Sequence, residues 1–326
     1  MVTRIVVRAH GGPEVLEVEE TALAAPKPGE IRLRHNAIGL NYIDTYFRSG
    51  LYPPPAGLPF SLGLEAAGVI EAVGDGVTDL KVGQRVGYGS GPLGAYSTER
   101  LMPADKVIAM PDAISDETAA AMMLKGMTAQ YLLRQTYNVK PGDTILFHAA
   151  AGGVGLIAGQ WAKHLGATVI GTAGSKEKAD LAKAHGYDHV ILYREENIAA
   201  RVKEITGGKG VPVVYDGVGK DTFEASLDSL RPRGLLVSFG NASGAVTGVN
   251  LGILSAKGSL YVTRPTLMGY TATRPELEAC AKDLIDVVAK GAVKIEVNQT
   301  FKLTDAAEAH RALEGRGTTG STILLP

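Results

Sequence analysis

The spacing of hydrophobic positions changes along the chain. In the first part, apolar residues alternate with polar ones in short runs bounded by glycine and proline, as around Ile31 and Leu33, which is typical of half-buried strands. In the middle part, short continuous apolar runs alternate with helical patterns. The predicted strands there are 143–149, 167–172, 189–192, 211–216 and 234–239. The predicted helices between them are 153–165, 175–185, 195–206 and 221–230.

This alternation of strands and helices indicates right-handed βαβ units and a parallel sheet. The segment before it predicts a small, turn-dense β-barrel, with a short helix over 41–48 that Gly50 ends, and a helix over 116–137 that is hinged near Gly126. After it come a strand over 259–263, a helix over 274–290, and a strand, helix and strand within 293–326. We therefore expect a doubly wound α/β domain, 126–265, inserted in a barrel domain built from 1–125 and 266–326.

Composition narrows the function classes. A chain of 326 residues is long enough for two domains, and its net charge of −1 argues against nucleic acid as the main partner. The chain has one cysteine, Cys280, so it cannot form an internal disulfide, and no apolar run reaches membrane-spanning length. We expect a cytoplasmic protein with no membrane partner.

The segment 149–155, Ala-Ala-Ala-Gly-Gly-Val-Gly, lies between a predicted strand and a predicted helix. Gly152, Gly153, Val154 and Gly155 would let a pyrophosphate approach the backbone N–H groups at the helix N-terminus. The same glycines could form an ordinary tight turn, but the βαβ pattern on both sides favours nucleotide binding.

The end of the second predicted strand indicates which nucleotide binds. Enzymes that use NAD usually carry Asp or Glu there to bind the ribose 2′-hydroxyl. Here the segment 171–178 reads Gly-Thr-Ala-Gly-Ser-Lys-Glu-Lys, with no acid at the strand end, so it favours NADPH. Lys178 is our leading ligand for the 2′-phosphate, and Tyr193 could contact the adenosine end. The alternative is that the lysines and Tyr193 are ordinary surface residues.

Metal and hydrolase chemistry find no support in the motifs. The chain contains no H-E-x-x-H, no C-x-x-C and no G-x-S-x-G. His148, directly before the glycine turn, is expected to pack or to form hydrogen bonds there. The sequence therefore predicts no metal site.

Several segments together resemble the zinc-free branch of the medium-chain dehydrogenases/reductases, the NADPH:quinone oxidoreductase or zeta-crystallin-like family, and in particular its bacterial members. The matching segments are 41–46, 49–53, 147–155, 214–216, 238–241 and 258–265. Zinc-containing relatives carry G-H-E in the first domain, whereas this chain reads Gly63-Leu64-Glu65, so Leu64 replaces the ligand histidine. Ala150 replaces the first glycine of the motif, which is usual in this branch.

The resemblance implies a GroES-like barrel domain and a Rossmann domain, with NADPH and a quinone in the cleft between them. It also implies a homodimer that pairs through the strand around 259–264. By position, Asn41, Tyr46 and Tyr52 would surround the reacting ring. The residues that would contact the cofactor, besides Asn41 and the glycine turn, are Thr128, Gly174, Lys178, Tyr193, Phe239, Gly240, Asn241 and Arg316.

The implied reaction is the transfer of a hydride or of single electrons from NADPH to a quinone. Asn41, Tyr46 and Tyr52 could donate hydrogen bonds to the reduced quinone oxygen. Two alternatives stay open at this point. One is NADPH-dependent reduction of an enone or alkenal double bond in the same site. The other, from a different class, is a zeta-crystallin-like structural or RNA-binding protein.

Overall fold

The computed structural model describes all 326 residues, and the chain divides into two compact units. Unit 1 contains 1–127, 271–289 and 295–326, and unit 2 contains 128–270 and 290–294. The sequence predicts different limits for the functional domains, and these stay a prediction: 1–125 with 266–326 for the barrel domain, and 126–265 for the inserted α/β domain.

The strands are β1 (Val2–Val7), β2 (Leu16–Thr21), β3 (Glu30–Leu40), β4 (Phe60–Ser61), β5 (Glu65–Val73), β6 (Arg85–Tyr88), β7 (Glu99–Pro103), β8 (Ile108–Ala109), β9 (Thr144–Phe147), β10 (Thr168–Ala173), β11 (His189–Leu192), β12 (Val211–Asp216), β13 (Leu230–Ser238), β14 (Tyr261–Thr263), β15 (Val297–Lys302) and β16 (Ser321–Leu325). The helices are α1 (Tyr42–Ser49), α2 (Asp116–Tyr131), α3 (Gly153–His164), α4 (Lys176–Ala184), α5 (Ile198–Ile205), α6 (Phe223–Ser229), α7 (Gly252–Ala256), α8 (Leu267–Tyr270), α9 (Arg274–Ala289) and α10 (Ala306–Glu314). No helix is both long enough and apolar enough to cross a lipid bilayer.

Unit 1 is built on two sheets. One has the order β2-β1-β4, and the other has the order β15-β16-β3-β5-β6-β8 with β7 paired to β3. Along the first half of β3 the side chains alternate as predicted, with Ile31 and Leu33 buried and Arg34 exposed. The buried side chains of both sheets form one apolar core. This part of the chain is the GroES-like domain expected from the sequence.

Unit 2 contains a six-stranded, wholly parallel sheet in the order β11-β10-β9-β12-β13-β14. All residues of β12, Val211–Asp216, are buried, which explains the continuous apolar run in the sequence. The strand order reverses between β9 and β12. In doubly wound sheets, ligands bind at the carboxyl ends of the strands at such a reversal. The predicted glycine turn follows β9 and therefore lies at this point.

The hinge predicted near Gly126 is wrong, because α2 runs without interruption from Asp116 to Tyr131. A Cβ atom on Gly126 would lie 2.4 Å from Cδ1 of Leu284 in α9. The glycine therefore serves helix–helix packing, and this packing keeps the residue in the helix in spite of its low helix propensity. The helix changes only at its end, where Leu132–Thr136 form a π-helical turn.

Candidate functional site

The turn after β9 is tightly packed around Gly155. A Cβ atom on Gly155 would lie 2.4 Å from the carbonyl oxygen of Ala149 and 2.6 Å from that of Ala150. Ala149 itself has φ of 55°, a left-handed conformation that is uncommon for residues other than glycine. At Gly152, by contrast, the nearest atom to an added Cβ is the Ala149 oxygen at 3.2 Å. Gly155 is thus required by the fold of the turn, whereas a methyl group at Gly152 would meet one backbone oxygen and would need only a small shift.

The N-terminus of α3 offers free donors to an anion. Its first helical hydrogen bond runs from the Leu156 N–H to the Gly152 carbonyl at 2.9 Å, so the N–H groups of 153–155 precede the helical hydrogen bonds. No side chain caps this end, and its first turn contains no acidic residue. Backbone N–H groups and the positive end of the helix dipole together bind phosphate. Gly152, Gly153, Val154 and Gly155 therefore form a cradle that fits a nucleotide pyrophosphate.

A buried hydrogen-bond network fastens this turn to the neighbouring strands. His148 contacts Thr172 Oγ1 through Nδ1 at 3.1 Å and Ser226 Oγ through Nε2 at 3.0 Å. Ser226 donates to Asp216 Oδ2 at 2.8 Å, so its oxygen accepts from the His148 Nε2–H. Burial lowers the pKa of His148, which keeps the ring neutral in this arrangement. His148 thus joins the ends of β9, β10 and β12, in agreement with the packing role expected for it.

The end of β10 carries no carboxylate. Ser175 caps α4 by accepting from the Lys178 N–H at 3.4 Å, which sets Lys178 in the first turn of that helix. Tyr193, just after β11, donates its N–H to the Ala173 carbonyl at 3.2 Å. A Cβ atom on Gly174 would lie 2.5 Å from the Tyr193 hydroxyl. The structure thus brings Gly174, Lys178 and Tyr193 to the same edge of the sheet.

The segment after β13 packs tightly against the turn after β12. A Cβ atom on Gly217 would lie 2.9 Å from the Phe239 ring, and one on Gly240 would lie 2.3 Å from the Gly217 carbonyl oxygen. Arg264, which follows β14, donates to the carbonyls of Ser238 at 2.9 Å and Gly240 at 3.0 Å. Phe239, Gly240 and Asn241 are therefore held at the same carboxyl-terminal edge as the glycine turn.

In unit 1, Asn41 lies directly before α1 and is almost buried. It forms a capping box with Asp44, in which the Asn41 N–H donates to Asp44 Oδ2 at 2.8 Å. The Asn41 side-chain amide donates to Glu65 Oε2 at 2.7 Å and, at 3.4 Å, to the Gly39 carbonyl. The amide N–H groups of Asn41 are thus directed into unit 1 toward two acceptors.

Tyr46 and Tyr52 form an aromatic pair next to this capping box. Their rings meet edge to face with centroids 5.2 Å apart, and the Tyr52 N–H donates to the Tyr46 carbonyl at 3.0 Å. Tyr46 is buried and Tyr52 is half-buried. The structure therefore brings the three residues predicted to surround the reacting ring, Asn41, Tyr46 and Tyr52, onto α1 and the turn that follows it.

A chain of buried polar groups extends from Asp44 behind this pair. The Tyr96 hydroxyl donates to Asp44 Oδ2 at 3.0 Å and lies 3.1 Å from His310 Nε2, and Arg48 contacts His310 Nδ1 at 2.9 Å. Burial raises the pKa of Asp44 to about 7, against the lowering effect of its hydrogen bonds and of the Lys125 charge. Burial, together with the Arg48 charge, lowers the pKa of His310 to about 3. The chain of contacts fixes α1 to α10.

The remaining predicted residues are Thr128 and Arg316. Thr128, in α2, is buried in unit 2, and Arg316, after α10, is exposed in unit 1 with φ of 58°. No group of three or more His, Cys, Asp or Glu side chains has an arrangement that could hold a metal ion, and Leu64 is buried. The sequence did not single out Lys125, Asp216 and Arg264, which form hydrogen bonds next to the predicted site residues. Only the position of Asp216 at the end of a buried strand carried a signal for it.

Comparison with protein families matches both units. Residues 27–112 match the model of the alcohol dehydrogenase GroES-like domain, and residues 153–290 match that of the zinc-binding dehydrogenases. The description of the second model mentions zinc, whereas this chain has no group of three or more His, Cys, Asp or Glu side chains that could hold a metal ion.

Known proteins match over the full length. A quinone oxidoreductase of Pseudomonas aeruginosa is 61% identical, with all of both chains covered. The crystal structure of Escherichia coli quinone oxidoreductase complexed with NADPH matches with a TM-score of 0.98 and a sequence identity of 57%. The match covers 99% of this chain and 100% of that chain. A 2-haloacrylate reductase of a Burkholderia species is 50% identical, with 100% of this chain and 99% of the other covered.

Proposed function

The chain belongs to the quinone oxidoreductase family of medium-chain dehydrogenases/reductases. From this membership we propose which residues of the chain bind the cofactor and which bind the acceptor of an NADPH-dependent quinone reductase. The observation that carries the proposal is the open N-terminus of α3 at the reversal of the strand order, beside a β10 end without a carboxylate. Such an end leaves room for a phosphate on the ribose and does not repel it. The cofactor is NADPH, which supplies a hydride when bound.

The residues of unit 2 are proposed to bind and orient this cofactor. The N–H groups of Gly153, Val154 and Gly155 hold the pyrophosphate above Gly152, whose own N–H donates to the Ala149 carbonyl. The Lys178 ammonium pairs with the 2′-phosphate. Gly174 and Tyr193 form the wall beside that phosphate. Phe239, Gly240, Asn241 and Thr128 are proposed neighbours of the nicotinamide half. Arg316 of unit 1 is proposed as a further phosphate ligand, and Asn41 as a further cofactor contact.

The residues of α1 and the next turn are proposed to receive the acceptor. Reduction makes a quinone oxygen negative, and the hydroxyls of Tyr46 and Tyr52 can donate to it. Asn41 is committed to Glu65 through its amide, so its contribution is to orient the start of α1 beside the acceptor. A change of Tyr52 to Phe keeps the ring contact with Tyr46 and removes one donor. We expect slower single-turnover quinone reduction with unchanged NADPH affinity; an unchanged rate would remove this role from Tyr52.

Cofactor choice is tested by comparing NADPH with NADH in wild type and Lys178→Ala. Loss of one charge-assisted hydrogen bond costs about 1.5–3 kcal/mol, so the KM for NADPH should rise about 10- to 100-fold while that for NADH stays the same. Lys176→Ala is the matched control, because Lys176 is an exposed lysine of the same helical turn. Equal effects of both substitutions on NADPH would show that Lys178 is an ordinary surface lysine.

Reduction of an activated double bond is the second candidate. The observation that favours it is the 50% identity to a 2-haloacrylate reductase over the whole chain. The acceptor is then identified by measuring kcat/KM for benzoquinones, naphthoquinones, short enones and 2-haloacrylates with NADPH. We expect quinones to give the highest values. A haloacrylate or enone that exceeds every quinone would assign the chain to double-bond reduction.

We further propose a homodimer that pairs through β14. This strand lies at the edge of its sheet, so its outer backbone groups lack a neighbouring strand, and Tyr261 and Val262 are 61% and 41% exposed. Light scattering after size exclusion should give the mass of two 34.1 kDa chains. Val262→Lys should shift the equilibrium toward one chain, and a monomeric wild type would refute the dimer.

A cytoplasmic location is proposed as well. It is supported by the state of the one cysteine, Cys280, which is a buried free thiol. Burial raises the pKa of this thiol to about 12. Cell fractionation with an antibody to the chain tests this, and recovery outside the cytoplasm would refute it.

A further inference from the structure

We propose that Lys125 is a further catalytic residue, whose ammonium donates a hydrogen bond to the acceptor oxygen that becomes negative during reduction. This proposal rests on the proposed function, since it concerns the same acceptor. It is carried by the geometry of a buried ion pair in unit 1 whose carboxylate also accepts a hydrogen bond from Asn41.

The ion pair is fixed by its carboxylate. Glu65, the first residue of β5, accepts from the Leu124 N–H at 2.7 Å through Oε1. Its other oxygen, Oε2, accepts from Lys125 Nζ at 2.9 Å and from the Asn41 amide at 2.7 Å. Because Lys125 and Asn41 donate to the same oxygen atom, the ammonium lies beside the residue directly before α1.

The two members of the ion pair differ in how deeply they are buried. The Glu65 side chain is completely buried, whereas 7% of the Lys125 side chain remains accessible. Asn41 and Tyr46 are accessible to a similar extent, 5% and 8%. The carboxylate is therefore closed off, whereas the Lys125 side chain keeps a small accessible fraction, through which the acceptor is proposed to reach the ammonium.

The Lys125 ammonium has donors to spare. An ammonium group has three N–H donors, and Glu65 is its one hydrogen-bonding partner in the chain. Polar groups removed from bulk water are normally satisfied, and leaving a charged donor unsatisfied is costly. Two donors of Lys125 are thus available to water or to a ligand. A carbonyl oxygen of the acceptor fits them, because it accepts hydrogen bonds and gains charge as the reaction proceeds.

The balance of the reaction assigns Lys125 an electrostatic role. A quinone that becomes a hydroquinone takes up one hydride, which carries both electrons, and one proton. The hydride leaves NADPH, which becomes NADP⁺, and the proton comes from solvent. When the hydride has arrived and the proton has not, the acceptor oxygen is negative. Lys125 stabilises that charge from a fixed position, which needs no reorganisation during the step.

The alternative role of Lys125 is only to neutralise the Glu65 carboxylate. A double variant distinguishes this role from stabilisation of the acceptor oxygen. Lys125→Met combined with Glu65→Gln removes both charges and leaves no unpaired ion in the interior. The thermal midpoint, the NADPH dissociation constant and the single-turnover rate of benzoquinone reduction are measured. The matched control is Lys106→Met with Asp105→Asn, a lysine–carboxylate pair on the surface with the same chemistry.

We expect a folded double variant that binds NADPH within about twofold of wild type and reduces benzoquinone about 10²- to 10³-fold more slowly, the effect of losing one oxyanion donor. The surface control should match wild type in all three measurements. A double variant that reduces benzoquinone at the wild-type rate overturns the proposal, as does one whose slower rate is fully explained by weaker NADPH binding.

Lys125→Met alone provides the second measurement. With a series of substituted benzoquinones, the rate loss should grow as the reduction potential of the quinone falls, because poorer acceptors need more charge stabilisation. The same loss for every quinone would be a structural effect and would overturn the proposal. A wild-type chain that oxidises NADPH with no quinone refutes the proposed function instead, so the two failures are distinguishable.

Discussion

Substitution of Gly155 by Ala tests whether the glycine turn is limited by its own packing. The new methyl group would lie 2.4–2.8 Å from three backbone atoms of Ala149 and Ala150. Backbone atoms cannot move aside as the end of a side chain can, so the turn must shift, and overpacking of this kind costs up to about 3 kcal/mol. Alanine regains about 1 kcal/mol of helix propensity within α3. The net loss is then about 2 kcal/mol.

Differential scanning calorimetry measures this loss. For a unit of about 150 residues, 1 kcal/mol corresponds to about 2–4 °C, so Gly155→Ala should lower the midpoint of unit 2 by about 4–8 °C. Gly152→Ala is the matched control, since its nearest neighbour is one oxygen at 3.2 Å and its φ of −77° suits alanine. Its midpoint should fall by less than about 3 °C, but NADPH affinity should fall at least tenfold because the methyl group enters the phosphate cradle.

The two variants therefore separate two reasons for a glycine at the same motif. Gly155→Ala with an unchanged midpoint would refute the steric argument for the turn. Gly152→Ala with full NADPH affinity would refute the cradle at the N-terminus of α3. Isothermal titration calorimetry on the folded variants supplies the second measurement.

Three further predictions concern unit 1. Burial lowers the pKa values of His35 and His310 to about 3, so between about pH 6.5 and pH 3 only the unfolded chain binds these protons. Stability is therefore lost as pH falls through this range, by about 1.4 kcal/mol per pH unit for each histidine, and urea unfolding of His35→Gln should show a flatter pH dependence. Asp44 has the opposite effect on the pH dependence of stability, because its raised pKa makes the folded chain lose stability as pH rises from about 4 to 7. Asp44→Asn should therefore gain stability relative to wild type from pH 5 to pH 8. Arg48→Ala should lower the free energy of unfolding by about 1–3 kcal/mol, since it removes a buried guanidinium and leaves the buried His310 Nδ1 without its donor, whereas the exposed Arg8→Ala should change it little.

Most of unit 2 could be predicted from the sequence because its strands are buried on both faces. Such strands need continuous apolar runs, and the helices between them need a period near 3.6, so the two patterns separate clearly along 143–239. The glycine turn after β9 was predicted for the same reason, since it follows one apolar run and begins the next helical pattern.

The failures occurred where contacts join distant parts of the chain. Gly126 was interpreted as a hinge from its local propensity, but Leu284 packs against it and keeps α2 continuous. Glu65 and Lys125 are 60 positions apart, so no spacing rule connects them, although Glu65 accepts from both Lys125 and the Asn41 amide. A pattern along one segment cannot show which side chain from another segment satisfies its hydrogen bonds.

The close approach of Gly174 to Tyr193 affects how cofactor preference can be exchanged. An acid introduced at position 174, to favour NADH, would place its Cβ 2.5 Å from the Tyr193 hydroxyl and would displace that ring. The two positions are therefore epistatic. Gly174→Asp should be less productive in the native background than in Tyr193→Ala. We therefore expect a change from NADPH to NADH preference to go furthest when Gly174 and its aromatic neighbour are substituted together.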